Sequence, residues 1–256
     1  MLQSLHPQGV FFQVMRMLSI VIPAYNEAER IGQTLDAYLR SFPLRTEFII
    51  VPNGCTDGTV ALVMQYQQQH SNIRVHVISE PVGKAVAVRT GLALATGDYV
   101  GYLDADGSTS PEEFQKLEQA LGASDGVIAS RWAPGAVVQN RAFSRTLASL
   151  TFAALVKTLF WFPYRDTQCG AKIFSKTLLQ RILPHARVRN MAFDVELLLL
   201  ARRADAAIVE MPTHWVDRSR SAILGTPVQL FRTSLQMFAT LFLLRLRFLP
   251  LIAPRL

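Results

Sequence analysis

Four short apolar runs, each followed by a segment of helical periodicity, constrain this chain more than any other feature. Residues 18–22, 48–51, 74–79 and 99–103 read as strands, the first two with no polar alternation, as in strands covered on both faces. Between them Ile31, Leu35, Leu39 and Phe42 recur at helical spacing until Pro43. Helices are predicted again over 59–70 and over the small residues 83–96, closing at Gly97. Asn26 with Glu29 three residues on predicts a capping box ahead of the first helix. This β-α-β-α-β-α-β order predicts an α/β fold, a mostly parallel sheet between helices. Further on, 111–121 reads as a helix with acidic residues in its first turn, 127–129 as a strand, the next thirty residues as helical and basic, 193–203 as a helix and 208–216 as a last strand.

In such sheets ligands sit beyond the carboxyl ends of the strands. Three of those ends carry Pro23-Ala24-Tyr25-Asn26-Glu27, Asn53-Gly54-Cys55-Thr56-Asp57-Gly58-Thr59 and Asp104-Ala105-Asp106, so they converge on one rim. Two carboxylates as close as Asp104 and Asp106 repel each other unless a cation compensates. Hard oxygen ligands suit Mg²⁺ or Mn²⁺, which in turn hold phosphate groups. An Asp-x-Asp by itself is a common polar turn; its place opposite two other polar strand ends makes it a candidate metal site. Glu27 and Asp57 can accept hydrogen bonds from a ribose or a base, although Glu27 also reads as an ordinary first-turn helix charge. Neither GxGxxG nor GxxxxGK[ST] occurs, which argues against a dinucleotide nest and a P-loop.

The charge is unevenly placed. Residues 1–127 hold 8 Lys/Arg against 13 Asp/Glu, and residues 128–256 hold 18 against 6. A basic half can meet nucleic acid, an anionic membrane or a phosphorylated substrate. Its aromatics Phe152, Phe160, Trp161 and Phe162 lie in apolar stretches rather than on an open basic platform, so nucleic acid is not expected. A mean hydropathy of +0.22 points to contact with something apolar. Residues 146–164 and 235–251 are rich in Leu and Phe but interrupted by Lys157, Arg245 and Arg247, and read as helices lying in a membrane interface rather than spanning it, with core helices as the alternative. Residues 1–17 show neither a basic start nor a long apolar run, and read as an extension without a secretory signal. Two distant cysteines, Cys55 and Cys169, exclude a zinc or disulfide framework and point to a reducing compartment.

Together these motifs resemble family-2 glycosyltransferases of the GT-A fold. The carriers are Ser19-Ile20-Val21-Ile22-Pro23-Ala24-Tyr25-Asn26-Glu27, the Gly54…Asp57-Gly58-Thr59 turn and Asp104-Ala105-Asp106, in that order. Asp166-Thr167-Gln168-Cys169-Gly170-Ala171-Lys172 and Ala192-Phe193-Asp194-Val195-Glu196-Leu197-Leu198 resemble the polyprenyl-phosphate (dolichyl-phosphate) glucosyl- and mannosyltransferase branch, the glucosyl type more closely. Two departures stand out: Pro52-Asn53-Gly54-Cys55 replaces a usual Asp-Asp-Gly-Ser, and Ala171 replaces a usual aromatic.

The resemblance implies an inverting transferase that moves a hexose from a nucleotide-sugar, UDP-glucose before GDP-mannose, to a polyprenyl phosphate. It implies a catalytic domain over 18–227, with a donor and metal half (18–127) and an acceptor half (128–227), and an interfacial tail over 228–256. Donor contacts are expected from Pro23, Tyr25, Glu27, Asn53, Asp57, Lys84, Asp104 and Ala105, and Mg²⁺ or Mn²⁺ on Asp104 and Asp106. Acceptor-phosphate contacts are expected from Arg131, Arg145 and Ser149, with Lys172 and Arg218 as further candidates. Asp194 is expected to act either as a base or orienting carboxylate or as a mere helix cap. The enzyme is expected to sit peripherally on the cytoplasmic face of a membrane.

Overall fold

The computed structural model describes residues 16–218 and 227–249, so most of the extension read over 1–17 and the last residues of the tail lie outside the described residues. Seven strands form one sheet in the order β3-β2-β1-β4-β7-β5-β8. They are β1 (Leu18–Ala24), β2 (Glu47–Pro52), β3 (Ile73–Val75), β4 (Tyr99–Tyr102), β5 (Gly126–Ser130), β7 (Lys172–Ser175) and β8 (Ile208–Pro212). Only β7 runs against its neighbours β4 and β5; the other pairings are parallel. A small second sheet pairs β6 (Val137–Gln139) with β9 (His214–Val216).

The period of two along each strand sorts side chains onto two cores. From β1 and β2, Leu18, Ile20, Ile22, Phe48 and Ile50 face one layer, and Val21, Ile49 and Val51 the other. Helices α1 (Ile31–Ser41), α2 (Thr59–Gln69) and α4 (Pro111–Ala120) supply the first layer, with Tyr38 and Phe42 stacked and Phe114 edge-on to both. The second layer holds α3 (Lys84–Leu94), α6 (Lys176–Ile182), α7 (Phe193–Arg203), α5 (Phe143–Phe160) and α8 (Pro227–Arg247). The nine-residue run Phe193–Ala201 on α7 is buried throughout, which explains its near-continuous apolar sequence.

The α/β reading agrees with this architecture, and four local expectations are corrected. The Asn26–Glu29 capping box does not form: Asn26 adopts φ 53° and its carboxamide oxygen accepts the Thr56 N–H, so α1 starts only at Ile31. The third strand is shorter than 74–79, with a single bridge from Asn53 to Ile78 beyond it. The thirty residues after Arg131 begin with β6, and the helix runs from Phe143. The last strand breaks at Thr213, whose hydroxyl and whose neighbour His214 N–H both donate to Glu113, so β8 and β9 enter different sheets.

Candidate active site

Loops after β1 and β2 are stitched together before either reaches the cleft. Besides the Asn26–Thr56 bond, the Glu27 N–H donates to Thr59 Oγ1 at 2.8 Å and the Ala28 N–H to Asp57 at 3.1 Å. Asp57 also receives the Thr59 N–H and hydroxyl, and does not line the cleft. The expected donor contact from Asp57 is therefore corrected to a clamp between loops. Asn53 does reach the cleft wall but is 2% exposed, with its amide donating to Ala24 O and accepting from Gly83 N. Both ends of that carboxamide are engaged, bracing the ends of β1 and β2 against the start of α3 at the wall of the cleft.

The cleft holds about 400 Å³ and is lined by Pro23, Tyr25, Glu27, Asn53, Lys84, Asp104, Ala105 and Asp106. Arg30, Pro81 and the segment Arg189–Met191 complete it. These last residues carry no sequence signal of their own, because they reach the cleft from a helix start and from a loop far along the chain. Arg30 pairs with Glu27 at 2.6 Å, and also donates to the Arg218 carbonyl at 3.0 Å. The Arg218 guanidinium in turn approaches Gly107, where a Cβ would come within 3.2 Å of it.

Asp104 and Asp106 sit at the floor. Asp104 pairs with the Lys84 ammonium, and Asp106 accepts the Ser108 N–H at 2.9 Å. Burial raises the pKa of Asp106, and the neighbouring Asp104 charge adds to it. For Asp104 burial pushes the same way, but Lys84, Lys172 and Arg131 outweigh it and the carboxyl stays below its ordinary range. Glu27 is also raised, by burial first, against Arg30 and with Asp106 and Asp104. Three carboxyls thus crowd one wall with a surplus of negative charge near Asp106. Hard oxygen donors under mutual repulsion fit a divalent cation, and two protein carboxylates leave coordination positions for a diphosphate. Gly170 is required beside them: a Cβ there would lie 1.9 Å from Asp104 Oδ2.

Opposite this wall, beyond the Asp104–Thr109 turn, lies a second group of charges. Arg131, 9% exposed, donates through Nε and Nη2 to both Asp166 oxygens at 2.7 and 3.0 Å, and its N–H adds a third bond. Arg145 approaches Asp217 at 3.4 Å, and the Ser149 hydroxyl receives a bond from Arg141. Lys172 does not belong to this group. It is fully buried, donating to Asp194 and to Cys169 O at 2.6 Å each, so the anion contact expected of it is corrected to a role in the interior. Asp194 is 5% exposed and also receives the Tyr102 hydroxyl. It caps nothing: the N–H of Ala192, at the start of α7, is met by the Asn190 side chain.

The family described as glycosyl transferase family 2 matches residues 19–183. Dolichyl-phosphate beta-glucosyltransferase of Drosophila melanogaster is 34% identical over 250 residues, spanning 91% of this chain and 75% of the relative. The Homo sapiens protein of the same name is 32% identical over 252 residues, spanning 91% and 76%. Among solved structures, glucosyl-3-phosphoglycerate synthase from Mycobacterium tuberculosis in complex with uridine-diphosphate superposes with a TM-score of 0.68 at 22% identity, covering 94% of this chain and 86% of that one. That structural likeness establishes the fold. Sequence and fold together place the chain in glycosyl transferase family 2, and it is a glycosyltransferase.

Proposed function

We propose that this enzyme transfers glucose from UDP-glucose to a polyprenyl phosphate of the dolichyl type, with inversion, at the cytoplasmic surface of a membrane. The observation that carries the reading is the state of Asp194. The carboxylate best placed by sequence to act as a base is buried between Lys172 and Tyr102, and the remaining cleft carboxylates crowd the candidate metal site. An acceptor for such a site brings its own ionised oxygen, and a phosphate monoester does so near neutral pH, with a second pKa of about 6. The relatives named as dolichyl-phosphate beta-glucosyltransferases are in accord with that acceptor.

Asp104 and Asp106 would hold Mg²⁺ or Mn²⁺, which when bound neutralises charge on the departing diphosphate. Lys84, at the start of α3, places an ammonium on the same side. Burial works against that charge, but Asp104, Asp194 and Asp106 outweigh it and keep Lys84 protonated. Arg30 and Arg189 add cations to the cleft wall. A phosphate oxygen of the acceptor attacks the anomeric carbon, the bond to the nucleotide diphosphate breaks with its electron pair, and no proton needs to leave the nucleophile. Electrostatic preorganisation is then the main catalytic term.

Membrane contact is supported by what α5 and α8 leave exposed. Phe143, Leu147 and Leu150 form one stripe on α5, and Leu235, Phe242, Leu243 and Leu246 lie open on α8, with Arg245 over the exposed Trp161 ring at 5.2 Å. Such apolar surface edged by cations suits an anionic lipid interface. Among the described residues no helix is long and apolar enough to cross a membrane.

The test is transfer by the purified chain with Mn²⁺ or Mg²⁺, a polyprenyl phosphate, and labelled UDP-glucose or GDP-mannose in parallel. Metal-dependent label in the organic phase from UDP-glucose is the expected result. Donor hydrolysis without lipid labelling would discard the lipid acceptor, and labelling from GDP-mannose alone would discard the sugar. Sedimentation with anionic vesicles at low salt tests the membrane contact; a protein that stays in the supernatant overturns it.

A further inference from the structure

Among the described residues no carboxylate pairs directly with Arg141, although Asp217 and Asp166 attract it from further off. Its guanidinium lies between two indoles, 5.5 Å from the Trp132 ring centroid and 5.3 Å from that of Trp215. Arg131 rests against the same rings at 5.9 and 5.4 Å, but is matched by both oxygens of Asp166. Arg141 has no carboxylate at ion-pair distance among the described residues. Its Nη2 donates to the Ser149 hydroxyl and, at 3.3 Å, to the Arg145 carbonyl. Its Nε and Nη1 are buried with no acceptor among the described residues, and so is Trp132 Nε1. Thr167 Oγ1 and Gln168 Nε2, next in the chain after Asp166, are buried and unmatched as well.

Buried N–H groups without acceptors are rare in native proteins, and several gathered around one cation suit an oxygen-rich ligand. The charges agree. Among the described residues three guanidiniums, Arg131, Arg141 and Arg145, face two carboxylates, Asp166 and Asp217. Burial, and after it the Arg131 charge, pull the pKa of Arg141 down to about 10. An anion at this place would offset both by direct attraction. The place is also right for an acceptor: Trp215 bridges to Thr109, and the Val216 N–H donates to Ser108 O, the residue whose own N–H holds Asp106. Only that turn separates the indole pair from the donor cleft.

We propose that Arg141, held between Trp132 and Trp215, binds the phosphate of the acceptor and is the group that admits a phosphate monoester while rejecting the corresponding alcohol. This rests on the lipid-phosphate reading above. The indole faces hold the guanidinium out of water, where its hydrogen bonds to phosphate oxygens are stronger. The Trp132 N–H supplies a further donor. An alcohol occupying the same place would leave the guanidinium buried without its counter-ion, which is how a polar site rejects an analogue lacking the matching group.

The experiment uses the full chain, with farnesyl phosphate and farnesol as probes. Tryptophan fluorescence is followed in a Trp161→Phe background, leaving Trp132 and Trp215 as reporters. A saturable response to farnesyl phosphate and none to farnesol is expected, with half-saturation raised at least about tenfold by Arg141→Gln and less by Arg141→Lys. In transfer assays Arg141→Gln should raise KM for farnesyl phosphate by about the same factor and change KM for UDP-glucose by less than about twofold. The ligand-free Arg141→Gln protein should unfold at no lower temperature than the parent, since a charge without a counter-ion has been removed. Equal affinity of Arg141→Gln and parent for farnesyl phosphate would overturn the proposal. A lowered Tm with both KM values raised would overturn it in favour of a purely structural role. A parent that hydrolyses UDP-glucose, transfers nothing, and still shows an Arg141-dependent response to farnesyl phosphate would overturn the lipid-transfer reading and support the phosphate site.

Discussion

Lys172 and Asp194 meet at 2.6 Å inside the protein, the lysine from β7 and the aspartate from the first turn of α7. Both are buried, and the Tyr102 hydroxyl completes the group. Removing one partner of such a pair leaves an uncompensated buried charge, which costs about 3–5 kcal/mol. Asp194→Asn and Lys172→Met should each lower unfolding stability on that order, and the double variant Lys172→Met/Asp194→Leu should recover much of the loss. Urea titration measures both. Loss of kcat in Asp194→Asn with unchanged stability would instead support a base role.

Asp106 carries a charge that burial and the neighbouring Asp104 disfavour. Asp106→Asn should therefore unfold at the same or a higher temperature than the parent without metal. Its transfer rate should fall by a factor of about 10² or more, as when a charge-stabilising group is removed. Mn²⁺ with UDP should raise the Tm of the parent by linkage and leave the variant unmoved. Chelation should abolish transfer in the parent.

The Asp166 carboxyl has its pKa lowered from an ordinary 3.8: burial pushes it up, and Arg131 with its hydrogen bonds outweighs that. A depressed folded pKa means that the unfolded chain takes up protons first as pH falls. The pair's contribution is thus complete above the ordinary value and lost as pH falls from about 4 through the lower folded value. Replacing Asp166 with Asn should flatten that part of the acid-unfolding profile. It should also cost about 3–5 kcal/mol at neutral pH, because Arg131 stays buried. A parallel acid profile in the variant would contradict this.

Helix α8 reaches the donor cleft indirectly. Arg247 pairs with the buried Glu196 at 2.5 Å and donates to His185 O at 2.6 Å, while Thr240 accepts from Asn190 at 2.7 Å. Glu196 also holds the Arg187 and Val188 N–H groups, just before the cleft residues Arg189–Met191. Arg247→Met should loosen this segment and raise KM for the donor several-fold with a smaller change in kcat, at a stability cost of about 1–3 kcal/mol. Steady-state kinetics at saturating acceptor checks it.

Much of the donor side was legible because parallel strands buried on both faces write themselves as apolar runs, and their polar ends must then share one rim. Asp104, Asp106, Glu27, Pro23 and Tyr25 could be gathered on that ground alone. The roles of Asn53 and Asp57 could not, since a carboxamide or carboxylate in a loop looks the same whether it faces a ligand or braces a neighbouring loop. Arg189–Met191 were missed because α7 and α8 bring them to the cleft from far along the chain.

The alternation of elements, the two-faced core and the Asp-x-Asp at a strand end all follow from local periodicity and polarity. Which charges are neutralised and which are left over follows only from packing. Lys172 and Arg131 are both basic residues in a basic half, yet one is enclosed against Asp194, the other is matched by Asp166, and Arg141 lies between two indoles with no carboxylate at ion-pair distance among the described residues. Charge pairing depends on distances of a few ångströms between residues tens of positions apart, and only the packed chain sets those.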